Sequence, residues 1–168
     1  MKLLVIRHGP AGDREAFAAT GQPDDLRPLT GPGGRKVRRA ARGLRSVVGD
    51  VDVLASSPLT RARQTAELLA GRLGGGEIVT LPELAPDASP DALVPWLQQQ
   101  TAEGVVALVG HEPHLGFLVG WLLTGRHQSL IELKKGGACL LEFDGTPAPG
   151  DAMLLWALAP RHLRALGR

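Results

Sequence analysis

The feature that most constrains the fold is an uninterrupted apolar run, VVALVG, at residues 105–110. A strand with one face in water alternates apolar and polar residues, whereas a strand buried on both faces is apolar throughout. The run KLLVI at residues 2–6 has the same character after its first residue. Strands of this kind belong to parallel sheets that helices cover on either side. The two runs therefore predict interior strands of such a sheet.

Short apolar stretches alternate along the chain with patterns of helical period. Two further strands are predicted at residues 51–56 and 77–81. Helices are predicted at residues 34–48, 59–73, 89–100 and 113 to about 123. Residues 10–31 hold proline, glycine and acids without periodicity, and they predict a long loop. The strands expected to close the sheet, with antiparallel pairing, are residues 128–133, 138–143 and 152–158.

This order of strands and helices predicts an α/β fold, a three-layer sandwich with a mostly parallel central sheet. The chain has 168 residues, of which 43% are hydrophobic and 21% charged, so it can bury a sizeable core. No internal repeat or low-complexity segment divides the sequence. We therefore expect a single domain over residues 1–168.

Charge and cysteine usage exclude several classes of protein. The formal net charge is only +2, which argues against a nucleic-acid partner. One cysteine, Cys139, cannot form an intrachain disulfide and fits a reducing compartment. The first apolar run is too short for a secretory signal, and no stretch approaches the roughly 20 apolar residues of a membrane span. We expect a cytoplasmic protein with no membrane attachment.

Charged and polar residues follow three of the predicted strands. Arg7 and His8 follow the first, Ser57 and Arg61 follow the second, and His111 follows the run at residues 105–110. In open α/β sheets the ligand binds outside the carboxyl ends of the strands. The sequence therefore predicts that two arginines and two histidines meet in one crevice.

These side chains suit a phosphoryl group. Arginine presents a planar fork that matches phosphate oxygens, and a neutral imidazole can attack phosphorus. Neighbouring cations disfavour protonation of His8 and so favour its nucleophilic form. No glycine-rich loop with a lysine is present, which argues against an ATP site. His114 lies three residues after His111, but nothing completes a metal site, so we expect no metal and place His114 at the pocket rim.

Four ordered segments carry a family resemblance. They are Arg7-His8-Gly9 after its strand, LRPLTGPGG (26–34), SSPLTRARQTAELL (56–69) and VALVGHEP (106–113). Together they resemble the histidine phosphatase superfamily. The segment at 26–34 resembles the short bacterial phosphohistidine phosphatases, which act on histidine phosphotransfer domains.

The resemblance implies a phosphoglycerate mutase-like fold and a role for each matching residue. His8 would be the nucleophile, and Arg7, Arg61 and His111 would bind the phosphoryl group without a metal or other cofactor. Arg27 would be an additional phosphate ligand. Glu83, in LPELAP (81–86), stands where several branches of the family carry a proton donor and is a candidate general acid.

The sequence thus predicts a phosphohydrolase that works through a phosphorylated His8, with phosphohistidine on a signalling protein as the preferred substrate. A phosphatase for a small phosphorylated metabolite is the first alternative, and a non-catalytic phosphate-binding module is the second. The arginine-rich face at residues 35–45 is either simply solvated or a docking surface for an acidic partner. The sequence does not predict the oligomeric state.

Overall fold

The computed structural model describes residues 1–100 and 103–168. The strands are β1 (Lys2–Arg7), β2 (Val53–Ser56), β3 (Val79–Thr80), β4 (Val105–Gly110), β5 (Ala138–Glu142) and β6 (Met153–Leu158). The helices are α1 (Arg14–Ala18), α2 (Gly31–Val48), α3 (Thr60–Leu73), α4 (Val94–Leu97), α5 (His114–Thr124) and α6 (Pro160–Leu166). Three short 3-10 turns are Asp24–Leu26, Pro82–Leu84 and Pro90–Leu93.

The strands form one sheet in the order β3-β2-β4-β1-β5-β6. β4 lies between β1 and β2 and runs parallel to both, as its continuous apolar sequence predicts. β3 is also parallel to β2. β5 runs antiparallel to β1, and β6 runs antiparallel to β5. Among the described strands, only β5 points against the others, so the predicted mostly parallel sheet is confirmed.

Helices cover both faces of this sheet. Along β1, Leu3 and Val5 enter one hydrophobic core, which also holds residues of α4 and α5. Leu4 and Ile6 point the opposite way, into a second core built with α2, α3 and α6. Side chains alternate between the two faces of a strand, so an all-apolar strand must feed two cores. The three-layer sandwich is confirmed.

α2 shows how closely the layers pack. The helix begins after Thr30, whose side chain accepts a hydrogen bond from the Gly33 backbone N–H, and it ends before Gly49. At Gly43 the helix meets α6 so closely that a Cβ would overlap the carbonyl oxygen of Leu163. A glycine at this point therefore allows α2 and α6 to share the second core.

One predicted strand is wrong: residues 128–133 form an irregular segment rather than a strand. The free edge of β1 is occupied by β5, so the sheet offers this segment no partner there. Its backbone bonds elsewhere instead. The Leu133 N–H donates to the carboxylate of Glu112, 2.8 Å away.

Several boundaries also differ from the predictions. The strand at residues 77–81 shrinks to β3, and the helix at residues 89–100 becomes a 3-10 turn followed by the short α4. Pro90 and Pro95 lie in that stretch and lack the N–H that a regular helix needs. The loop at residues 10–31 contains α1 and a 3-10 turn. The sequence reading missed α6 altogether. No helix in the described part of the chain is long and apolar enough to cross a membrane.

Candidate active site

The parallel strands deliver the predicted site residues to one edge of the sheet. β1 ends at Arg7, which pairs with Gly110 at the end of β4. His8 and His111 follow directly, and Arg61 lies in the first turn of α3 after β2. A cavity of about 620 Å³ lies at this edge. The residues that line it include Arg7, His8, Asp13, Arg14, Asp24, Arg27, Arg61, Pro86, His111, Glu112 and Lys135.

His8 is held as a neutral ring with one free nitrogen. Its Nδ1 lies 2.7 Å from the carbonyl oxygen of Gly9. A carbonyl only accepts, so Nδ1 carries the proton and donates it, which leaves the lone pair on Nε2. Burial lowers the pKa of His8 to about 4, and the charges of Arg61 and Arg7 add to this effect. The ring is therefore neutral at neutral pH, and the lone pair of Nε2 is available for bonding.

Gly9 fixes the chain just after His8. Its N–H donates to the Thr65 side-chain oxygen at 3.0 Å, and that hydroxyl donates to the Arg61 carbonyl at 2.7 Å. A Cβ at Gly9 would overlap a methyl group of Val37, so a larger residue fits only if the Val37 side chain shifts. The end of β1 and the first turns of α3 are therefore joined at the site.

Arg7 is positioned through two hydrogen bonds in series. Its Nη1 donates to the Leu133 carbonyl at 2.7 Å, and the Leu133 N–H donates to Glu112 Oε1 at 2.8 Å. The other oxygen of Glu112 accepts from the Gly116 N–H at 3.0 Å. Burial raises the pKa of Glu112, while these two N–H donors oppose the rise. Glu112 therefore ties the irregular segment to α5 and thereby orients Arg7.

Asp24 brings two arginines together. Its carboxylate accepts from Arg27 Nε at 2.8 Å and lies 3.2 Å from Arg61 Nη2. The Asp24 carbonyl accepts from Arg61 Nη1 at 2.9 Å. The hydrogen bond from Arg27 is the main reason that the pKa of Asp24 is lowered. A loop residue thus fixes Arg27 against α3, and both guanidinium groups face the cavity.

His111 completes the cluster. Its Nε2 lies 2.8 Å from the Ser57 hydroxyl, and its ring centroid lies 5.0 Å from that of His8. Burial, followed by the proximity of His8, lowers its pKa to about 2. Among the described residues that line the cavity, three buried side-chain nitrogens have no hydrogen-bond partner: Nδ1 of His111, Nε of Arg7 and Nε of Arg61. The cluster can therefore still pair with a ligand that offers several acceptor atoms, as an oxyanion does.

Five of the six predicted site residues line this cavity, and Glu83 does not. Glu83 lies half-buried in the 3-10 turn Pro82–Leu84, and on that side Pro86 lines the cavity instead. His114 was expected at the rim, but it is 3% exposed and lies outside the lining. It is the first residue of α5 and is buried there.

Several charged residues that line the cavity were not predicted from the sequence, among them Asp24, Glu112 and Lys135. Asp24 precedes Arg27 by three residues, and Glu112 directly follows a predicted ligand, so both gave a local signal. Lys135 lies in a turn, and nothing in the sequence singled it out. Across the residues that the structure describes, no group of three or more His, Cys, Asp or Glu side chains is arranged to hold a metal ion.

Comparison with known proteins gives consistent matches. The family model of the histidine phosphatase superfamily (branch 1) matches residues 3–85. The phosphohistidine phosphatase SixA of Escherichia coli K12 is 28% identical over 167 residues, 98% of this chain and 97% of that protein. An uncharacterized protein of Picosynechococcus is 36% identical over 139 residues, 82% of each chain.

The solved structures agree with the sequence matches. A structure of the protein histidine phosphatase SixA complexed with tungstate superimposes with a TM-score of 0.83 at 27% identity. The superposition covers 97% of this chain and 99% of that one. The similarity therefore extends over the sheet, both helical layers and the edge at which the cavity lies.

Proposed function

Because the chain belongs to the histidine phosphatase superfamily and is a phosphatase, we propose that it removes the phosphoryl group from phosphohistidine on a signalling protein, a histidine phosphotransfer domain. The observation that carries the proposal is the state of His8. The ring is neutral, its Nδ1 is occupied by the Gly9 carbonyl, and its Nε2 is free in a cavity lined by arginines.

In the first step, Nε2 of His8 attacks phosphorus while the P–N bond to the substrate imidazole breaks. The departing imidazole takes a proton from solvent, and the phosphoryl group is now bonded to His8. In the second step, water attacks the phosphorylated His8, which releases inorganic phosphate and restores the neutral ring. Each step replaces one bond to phosphorus by another. The two steps together consume one water, and they need no oxidant, reductant or nucleotide.

The cations stabilise this exchange. During transfer, negative charge is spread over the three equatorial oxygens of the phosphoryl group. Arg7, Arg61 and His111 would bind those oxygens, with Arg27 as a further ligand beside Arg61. Arg7 is oriented by the Leu133 carbonyl and Arg61 by Asp24, so both donors are in position before the substrate arrives. Such preorganised donors are a major source of rate enhancement in enzymes.

The choice of substrate is supported by the similarity to SixA. The E. coli relative is a phosphohistidine phosphatase, and the solved relative binds tungstate, a tetrahedral oxyanion like phosphate. The position of Glu83 is compatible with a substrate whose leaving group departs easily. Glu83 stays a candidate general acid, but its carboxylate is outside the cavity lining, and an imidazole on a labile P–N bond needs less protonation than an alkoxide.

The test is a rapid-quench assay with a histidine phosphotransfer domain labelled with ³²P on its histidine. We expect acid-labile label on the enzyme during turnover, and loss of both label and phosphate release in His8→Ala. His162→Ala is the matched control, because that ring is exposed and lies outside the cavity. Full activity of His8→Ala, with no label on the wild-type enzyme, would contradict the proposed nucleophile.

A parallel panel of phosphomonoesters separates the substrate classes. We expect the phosphorylated domain to be hydrolysed with a higher kcat/KM than any small phosphomonoester. Faster turnover of a small phosphomonoester would replace the proposed substrate with a metabolite while leaving the mechanism in place. Binding of the phosphorylated domain without any His8-dependent hydrolysis would instead support a non-catalytic module.

A further inference from the structure

A second cavity, of about 190 Å³, adjoins the active-site cavity and is rimmed by three cations. They are Lys36, Lys135 and Arg164, which we call the cationic annex. Lys135 lines both cavities, so the annex opens beside the nucleophile. Among the described residues, no acid lines the annex, and none of its three cations forms an ion pair.

The annex is tied to the backbone of the site. Lys135 lies in the turn before β5, and the next residue, Gly136, donates its N–H to the carbonyls of Arg7 and His8 at 3.1 and 3.0 Å. The charge of Lys135 contributes to lowering the pKa of His8, although burial is the largest cause. The backbone at Lys135 is therefore held beside the end of β1, between His8 and the other two cations of the annex.

The chemistry of the annex differs from that of the phosphate site. Its lining between the cations is largely apolar and comprises Pro10, Val37, Ala40 and Pro160. Lys36 and Lys135 are exposed, and Arg164 is half-buried. A phosphate site presents converging N–H donors, as the arginines around His8 do. Exposed ammonium groups beside an apolar floor suit instead an acidic side chain, which has an aliphatic stem and a carboxylate.

We propose that the cationic annex docks acidic side chains of the phosphorylated protein substrate, next to its phosphohistidine. This inference rests on the proposed function and specifies how the protein partner is recognised. The remaining basic residues of α2 do not share the role. Arg38 and Arg42 line a different groove with Glu67 of α3, whose carboxylate offsets part of their charge. Among the basic residues of α2, Lys36 is therefore the one that lines the annex.

The experiment compares Lys36→Glu/Arg164→Glu with the wild type on two substrates, a phosphorylated histidine phosphotransfer domain and free phosphohistidine. Neither residue lies in the reaction cavity. At low salt we expect kcat/KM for the domain to fall about tenfold or more, mainly through KM, because charges at a rim act on encounter and orientation. The kcat/KM for free phosphohistidine is expected to stay unchanged, and salt is expected to weaken the wild type more than the variant.

Arg42→Glu/Arg72→Glu is the matched control, with the same change of charge in the groove that Arg38 and Glu67 also line. It is expected to leave both substrates unaffected. Equal losses in the two double variants, or an equal loss on free phosphohistidine, would overturn the docking role while leaving the phosphatase activity intact. A small bisphosphorylated sugar serves as a third substrate. A selective loss of kcat/KM on this sugar in Lys36→Glu/Arg164→Glu would assign the annex to a second phosphate group and would also overturn the docking role. Failure of the wild type to hydrolyse either phosphohistidine substrate would overturn both the proposed function and the docking role.

Discussion

Replacing His8 by asparagine should change how folding stability depends on pH. The folded chain keeps His8 neutral, with a pKa of about 4, whereas the ordinary value of 6.5 applies in the unfolded chain. Below pH 6.5 the unfolded chain therefore binds more protons, so the free energy of unfolding falls as the pH is lowered. The fall continues to about pH 4, where the folded chain also takes up the proton.

The magnitude follows from the two pKa values. At about pH 5.5 the unfolded chain binds about 0.9 proton at this residue and the folded chain almost none, which gives a slope of about 1.2 kcal/mol per pH unit. Over the whole window the loss amounts to about 3 kcal/mol. His111 has a lowered pKa as well and adds a slope of the same sign. Burial, the largest cause of that lowering, remains in the His8 variant, whereas the effect of His8 on His111 is lost with the ring, so the difference between the two proteins reports His8 together with its coupling to His111.

The assay is urea unfolding of the wild type and His8→Asn between about pH 5 and 6.5, in buffers free of phosphate, which would bind the site. We expect the slope of the free energy of unfolding against pH to be smaller in the variant than in the wild type by about 1.2 kcal/mol per pH unit. This difference does not depend on the absolute stability of the variant. His162→Asn is the matched control, because its ring is exposed and lies outside the cavity. Glu112, whose raised pKa has the opposite sign, is common to all three proteins and cancels. A wild-type slope in His8→Asn would refute the neutral, buried state of this ring.

Two further substitutions test the role of Arg61 in binding the phosphoryl group and the packing of α2 against α6. Arg61→Ala should lower kcat on the phosphorylated domain by roughly 100-fold or more, the effect of deleting a transition-state donor, and a near-native rate would remove Arg61 from the site. Gly43→Ala should reduce the free energy of unfolding by about 1–3 kcal/mol, because the added methyl group overlaps the Leu163 carbonyl. Gly71→Ala is its control: nothing lies within 4 Å of the added carbon, so this helical site should gain about 0.5–1 kcal/mol in urea unfolding.

Much of the architecture could be predicted because its signal is local. β1 and β4 are apolar along their whole length, and the ends of parallel strands must share one edge, so Arg7, His8 and His111 were expected to meet there. The same logic failed at residues 128–133. Their pattern resembles that of an edge strand, but whether a partner edge is free depends on the whole sheet.

The contacts that orient the site are less visible in the sequence. Arg7 is held by a backbone carbonyl, which carries no residue-type signal. Arg61 is held by Asp24, 37 positions away along the chain, through a carboxylate and a main-chain oxygen. Glu83 differs from these residues, because its position in a motif predicts a catalytic role and the fold places its carboxylate outside the cavity lining, so that role stays a prediction.

The irregular segment before β5 has a consequence for how this site can diversify. It holds Arg7 through the Leu133 carbonyl at 2.7 Å and more distantly through the Glu132 carboxylate at 4.0 Å, whereas most of its side chains at residues 128–132 are exposed. Substitutions there would change the surface presented close to the cavity without altering the carbonyl that orients the arginine. The exposed positions 128–130 can thus vary in sequence while the peptide group that orients Arg7 is kept.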